Sequence, residues 1–249
     1  LDLGHAALGE HSGSGALHRS LLSVCPELPV GIHFPDVLEV IQQRGDRPPP
    51  GDGVTVFHGD CAARNKEPVL LNTLTALMQG GRERIVVQTP YIICNRAMYD
   101  ALEKTAGAAQ VQIITNAPQS GANPWGCADY LNQRKTILST GASVCEWHGE
   151  RSMHTKTILI DDRFSIIGSF NWDMRSAYLD TELMLLVDCP ELNAALRAEA
   201  DEMVRQGKLL LPDGTAVEGA AYTAPEMPPY KKLLQPVLRV VIRPFRYVL

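Results

Sequence analysis

The chemistry that this chain could perform is concentrated in "MHTKTILIDDRFSIIGSFNWDMRS", residues 153–176. Its periodicity predicts two antiparallel strands, "HTKTILI" and "FSIIGSFN", joined at Asp-Asp-Arg. Residues two apart on a strand share a face, so His154 and Lys156 point the same way, and so do Ser169 and Asn171. A two-residue loop at Asp162 and Arg163 would pair residue 161 with 164, Lys156 with Ser169 and His154 with Asn171. All four polar side chains then meet on one patch, with Ile158 and Ile160 continuing that face and Thr155, Thr157 and Leu159 on the other. A slip of one residue would split the four between the faces. One ammonium, one imidazole and neutral donors suit a bound anion such as phosphate. Lys156 supplies a point charge, Ser169 and Asn171 donate to non-bridging oxygens, and His154 is equipped to be nucleophile or general acid/base near neutral pH. The set lacks metal-ligand spacing, so no metal or other cofactor is expected.

Such residues need a frame, and the flanking sequence offers one. "VTVFHG" (54–59) reads as a strand, "EPVLLNTLTALMQGG" (67–81) as a helix, and "RIVVQTPYI" (84–92) as an apolar strand running into a Pro-Tyr turn. A helix at 96–107, a strand at 111–118, a helix at 129–142 and a strand at 143–148 follow, and beyond the hairpin come a strand at 180–188 and a helix at 190–207. Strands alternating with helices predict an α/β domain with a parallel-rich sheet, whose functional residues gather at strand ends and in the loops beyond them. The loop "PQSGANPWGCA" (118–128) is the expected rim of the pocket. Ahead of this frame, residues 1–22 read as loop, 34–45 as a short helix and 46–53, with three prolines, as a linker. The six cysteines are spread singly and read as buried, reduced thiols.

The string His154-x-Lys156-x4-Asp161-x6-Gly168-Ser169-x-Asn171 resembles the HKD motif of the phospholipase D superfamily at every defining position. "NWDMRSAYLDTE" resembles its continuation, with Glu182 in the place of the acidic residue that orients the catalytic histidine. The resemblance implies a phospholipase D-like domain, a mixed and mostly parallel sheet flanked by helices on both faces, over residues 54–212. It also implies a metal-independent, two-step phosphodiester transfer through a phosphohistidine. His154 would be catalytic, Lys156, Ser169 and Asn171 would hold the phosphate, and Glu182 would fix the tautomer of His154. Asp161, also a motif position, lies an odd number of residues from His154 at the turn, and is expected to stabilise the hairpin rather than touch phosphate. "QTPYI" (88–92) resembles the strand-end segment of cardiolipin-synthase-type members, which would set Thr89 and Tyr91 near the substrate pocket.

Family members unite two such motifs at one site, whereas this chain has one. The partner half is expected either earlier in a longer chain, with His154 then the acid and base, or in a second copy, with His154 serving both roles. The chain starts at Leu1 rather than methionine, and its irregular first 53 residues suit the remnant of a preceding half.

Residues 228–249 contain Lys231, Lys232, Arg239, Arg243 and Arg246, no acid, and apolar residues between them. The tail, counted from residue 213, fits the interface of an anionic bilayer, or alternatively docks on the domain or on the missing half. Pro236 and Pro244 are expected to prevent one long helix. With a net charge of −5 and only 6% aromatic residues, a basic groove with stacking platforms is absent and nucleic acid is an unlikely partner. The favoured function is phosphatidyl transfer between anionic phospholipids, of cardiolipin synthase type, peripherally on the cytoplasmic side of the cell membrane. The alternatives are a homodimeric nuclease-type phosphodiesterase and a silent half that binds a membrane or partner.

Overall fold

The computed structural model describes residues 53–59 and 67–249. The expected loop at 1–22, helix at 34–45 and most of the proline-rich linker, together with Cys25 and Cys61, lie outside the described residues.

The regular part runs in the order strand β1 (Gly53–Gly59), helix α1 (Val69–Gln79), β2 (Arg84–Gln88), β3 (Ile92–Ile93), α2 (Arg96–Ala106), β4 (Gln110–Asn116), α3 (Pro124–Ser139) and β5 (Ser143–Trp147). It continues with β6 (Thr157–Ile160), β7 (Phe164–Gly168), β8 (Trp172–Asp173), α4 (Met174–Tyr178), β9 (Glu182–Asp188), α5 (Pro190–Gln206), β10 (Lys208–Leu210), β11 (Ala216–Glu218) and α6 (Pro229–Val241), and closes in a 3₁₀ helix at Arg243–Val248. Nine strands form one sheet in the order β1-β9-β7-β6-β2-β4-β5-β10-β11. The sheet is mixed, with helices on both faces, but its parallel part is limited to β2, β4 and β5 and every other pairing is antiparallel. The reason is connectivity. Only α2 and α3 serve as crossovers between neighbouring strands, and the tight turns after β6 and β10 reverse the chain.

Each face has its own packing logic. Leu70, Leu71, Leu74, Leu77 and Met78 recur at helical spacing on α1 and are all buried, joining Met98 and Leu102 of α2 and Ile137 of α3 over one face. Leu192, Leu196 and Ala200 of α5 cover the other, against Val86, Leu159, Ile167 and Val187. β6, covered on both sides, is therefore buried throughout and apolar from Ile158 to Ile160, and Ile158 and Leu159 separate onto opposite faces as strand alternation requires. Cys94, Cys127, Cys145 and Cys189 are buried and not in disulfides.

Helix α3 starts five residues before its expected position. The Asn123 side chain accepts from the amides of Trp125 and Gly126, and Pro124 occupies the first turn, where its missing N–H costs nothing. The Asn-Pro pair carried that signal, so the predicted rim loop shortens to residues 117–123.

Candidate active site

The hairpin register differs from expectation by one residue. Ile160 pairs with Phe164 and Thr157 with Ile167, so the loop has three residues and Lys156 falls opposite Gly168, whose amide donates to Lys156 O at 3.2 Å. Asp161 causes the shift. It adopts φ 47°, and its carboxylate accepts from the amides of Arg82, Glu83 and Arg84 at 2.9–3.2 Å, which binds the turn to the start of β2. Asp161 thus lies at the far end of the hairpin from Lys156.

Strict alternation in this register would send Ser169 to the face opposite Lys156. The chain avoids that by leaving the strand after Gly168. The amide of Ser169 donates to Leu183 O at 2.9 Å, and its hydroxyl swings to the carboxylate of Glu182, on the same face as Met184 and Leu186. A Cβ on Gly168 would overlap Leu183 O and approach Met184 Sδ to 2.6 Å, so only glycine lets β9 pass this closely. Ser169 reaches the Lys156 side through a bend, not through cross-strand pairing.

All of this happens at one sheet edge, where the carboxyl ends of the parallel strands β2, β4 and β5 meet the start of β6, the end of β7 and the start of β9. Lys156 is 8% exposed, and its Nζ donates to His154 O at 2.8 Å and lies 3.0 and 3.2 Å from the two ring nitrogens of His154. Burial lowers the Lys156 pKa to about 8, against the opposing pull of the Glu182 and Asp173 carboxylates. Partial burial and the Lys156 charge hold the exposed His154 below its ordinary 6.5. Near pH 7 the pair is a neutral imidazole beside an ammonium. Asn171 offers its amide side chain with a buried Oδ1 that has no hydrogen-bond partner.

Residues 74–204, which contain every group just described, match the family model "Cardiolipin synthase, PLD-like domain". The chain belongs to this family, within the phospholipase D superfamily. It is 26% identical over 147 residues to cardiolipin synthase A of Shigella dysenteriae, a stretch that covers 58% of this chain and 29% of that protein. In fold it resembles a phosphatidylserine synthase of Haemophilus influenzae (TM-score 0.55, 19% identity, 81% of this chain and 49% of that one). It also resembles Nuc, a phospholipase D family member of Salmonella typhimurium (TM-score 0.52, 15% identity, 68% of this chain and 100% of that one). The chain thus matches less than a third of the length of its cardiolipin synthase relative.

Two expected roles change within this phospholipase D-like site. Glu182 does not hydrogen-bond to His154. Its two oxygens are taken by the hydroxyls of Ser169 and Ser176, the latter at 2.6 Å, because Glu182 starts β9 behind the loop that carries His154. It acts on the pair by steadying Ser169 and by raising the pKa of Lys156. Thr89 is buried and its hydroxyl is spent on backbone, accepting from Trp172 N at 3.0 Å and donating to Tyr91 O at 2.8 Å. It braces the wall behind Asn171 and does not line the pocket, whereas Tyr91 is partly exposed beside Gly126.

Ser176 and Asp173 are the residues sequence reasoning missed. The Ser176 hydroxyl donates to Glu182 and accepts from Asn171 N at 3.1 Å, linking the two flanks of the site. Asp173 caps α4 by accepting from Ser176 N at 2.7 Å, and burial raises its pKa to about 6. The signal was present: Asp173-x-x-Ser176, one residue beyond Asn171, opens with a preferred helix N-cap residue. Among the described residues no group of three or more His, Cys, Asp and Glu side chains could hold a metal ion.

The basic tail folds against the domain. Lys231 Nζ donates to Gln119 O and Gly121 O at 2.8 and 3.0 Å, Arg239 Nε to Asn132 Oδ1 at 3.0 Å, and Arg246 to both oxygens of Asp129, which is 0% exposed, at 2.7 and 2.9 Å. Helix α6 runs through Pro236, so only Pro244 coincides with a change of helix type. No helix among the described residues is long and apolar enough to cross a membrane.

Proposed function

We propose that this chain provides one half of a phosphatidyl-transfer site of cardiolipin synthase type, working through a phosphohistidine without a metal. One observation carries the reading. A neutral imidazole, a buried ammonium and the Ser169–Glu182–Ser176–Asn171 chain gather at the carboxyl edge of a family-typical sheet, with His154 facing outward. In the first step an imidazole nitrogen attacks phosphorus, the P–O bond to the departing alcohol breaks, and a second imidazole gives that alcohol its proton. In the second, an incoming phospholipid hydroxyl loses its proton to that imidazole, attacks the phosphohistidine and releases the histidine. Lys156 and the Asn171 amide hold the non-bridging oxygens as charge shifts onto them, and Ser169 joins them when its hydroxyl turns from Glu182 to the phosphate.

His154 alone cannot be nucleophile and leaving-group acid for the same phosphate at once. The reading therefore needs a second histidine, from an earlier part of the same protein or from a second copy. In the first case His154 is the acid and base; in the second it serves both roles in symmetric copies. The basic and apolar stretch 228–249, which has no acid, supports peripheral residence on the cytoplasmic face of an anionic membrane.

The test is turnover of radiolabelled phosphatidylglycerol vesicles by the intact protein in the presence of EDTA, with acid-quench trapping of phosphohistidine. His154→Ala should abolish product. Cleavage of single-stranded DNA without lipid turnover would replace the reading with a nuclease, and loss of activity on chelation would remove the metal-free mechanism. Titrating wild type with excess His154→Ala then separates the two sources of the second histidine. Activity falls as the square of the wild-type fraction if two copies build one site, and linearly if one chain does.

A further inference from the structure

The docked tail creates a feature that the transfer chemistry does not use. Between the start of α3 and α6 runs an apolar groove of about 230 Å³, lined mainly by Pro118, Pro124, Trp125, Tyr230, Leu234 and Leu238. One of its walls is the 117–123 loop, and that loop is bound to the segment that carries His154. Asn116 Nδ2 donates to Met153 O at 2.9 Å, Met153 N donates back to Asn116 Oδ1 at 2.7 Å, and Ala122 N donates to Ser152 Oγ at 3.3 Å. The other wall is fixed by Lys231, whose ammonium is consumed by the carbonyls of Gln119 and Gly121. A phosphate-binding constellation and a hydrocarbon-lined groove are therefore tied together through residues 152 and 153. A molecule that satisfies both ends is an amphiphile with a phosphate and an apolar chain.

The geometry points to this groove as an acyl-chain subsite: we infer that it takes one fatty chain of the phospholipid whose phosphate lies at His154 and Lys156. The inference rests on the phospholipid reading above and deepens it. It gives the tail a role in substrate recognition besides its contact with the domain. Three of the tail's five cations, Lys231, Arg239 and Arg246, hold the groove wall in place. Trp125, 40% exposed at the groove, is a built-in reporter, since Trp172 is buried in the core and Trp147 packs on the other face of the sheet, bonded to Gln206 of α5.

The experiment titrates the intact protein with monomeric phosphatidylglycerol carrying brominated short acyl chains and reads tryptophan fluorescence. Saturable quenching is expected that is lost in Trp125→Phe and displaced by glycerophosphoglycerol, which has the same headgroup and phosphate but no chains. Leu234→Glu puts a carboxylate into the groove at a position already 48% exposed; it should weaken quenching at least about tenfold. An unchanged unfolding midpoint shows that this variant folds. Quenching that survives Leu234→Glu, that glycerophosphoglycerol fails to displace, or that occurs only with vesicles overturns the subsite. Because quenching needs no turnover, absence of phosphatidyl transfer would defeat the catalytic reading separately.

Discussion

Lys156→Met should make the protein more stable while removing its anion binding. Taking the ammonium out of water lowers its pKa from the ordinary 10.5 to about 8, so below pH 8 the folded state holds an unfavourable charge at a cost on the order of 3 kcal/mol. Methionine keeps most of the stem and removes the charge. Allowing for lost hydrogen bonds to His154, the expected gain at pH 7 is about 1–3 kcal/mol, a rise of roughly 2–4 °C in Tm per kcal/mol for a domain of this size. The sign can be tested independently. Between pH 8 and 10.5 the unfolded chain keeps a proton that the folded protein has released, so wild-type stability attributable to Lys156 climbs across that window. The variant lacks that climb, and its advantage should shrink as pH rises. Urea unfolding of both proteins at pH 7 and pH 10 measures this, and inorganic phosphate at pH 7 should stabilise wild type but not the variant. A variant less stable than wild type at pH 7, or a difference independent of pH, would refute the account of a buried cation held for function.

Other expectations follow from named contacts. With His154 as nucleophile the rate should rise with pH as its imidazole loses its proton, with His154 as leaving-group acid it should fall over that same limb, and deprotonation of Lys156 near 8 should lower it in either case; a pH profile of kcat/KM reads both limbs, and NMR titration of Lys156→Met should find the His154 pKa raised. Gly168→Ala should part β7 from β9 at Leu183, costing about 1–3 kcal/mol in denaturant unfolding and most of the activity. Arg246→Ala leaves the Asp129 carboxylate buried without its cation and should cost about 3–5 kcal/mol, while adding Asp129→Asn should restore much of it in a double-mutant cycle. Asp161→Ala removes the acceptor for three amides and strains φ 47°, for an expected loss of about 1–3 kcal/mol with kcat of the folded fraction nearly unchanged.

The local sequence determined a good deal. Periodicity located most strands and helices, because side chains that must enter a core repeat at 2 or 3.6 residues whatever lies above them. The spacing from His154 to Asn171 identified the superfamily. What only the tertiary structure decided were relations between segments distant in sequence. The hairpin register hinged on whether the Asp161 carboxylate would find the amides of residues 82–84, nearly eighty positions away, and no periodicity records that contact. The orientation of Glu182 depended on Ser176, and Thr89 was committed to Trp172, so neither role could be read from type and spacing. The tail is the clearest case. Its composition is compatible with a bilayer or with a protein surface, and the buried Asp129, the Asn132 side chain and the carbonyls of Gln119 and Gly121 gave three of its cations partners on the domain. Composition fixes which kinds of neighbour a segment can accept; only the fold determines which neighbour comes within hydrogen-bonding reach.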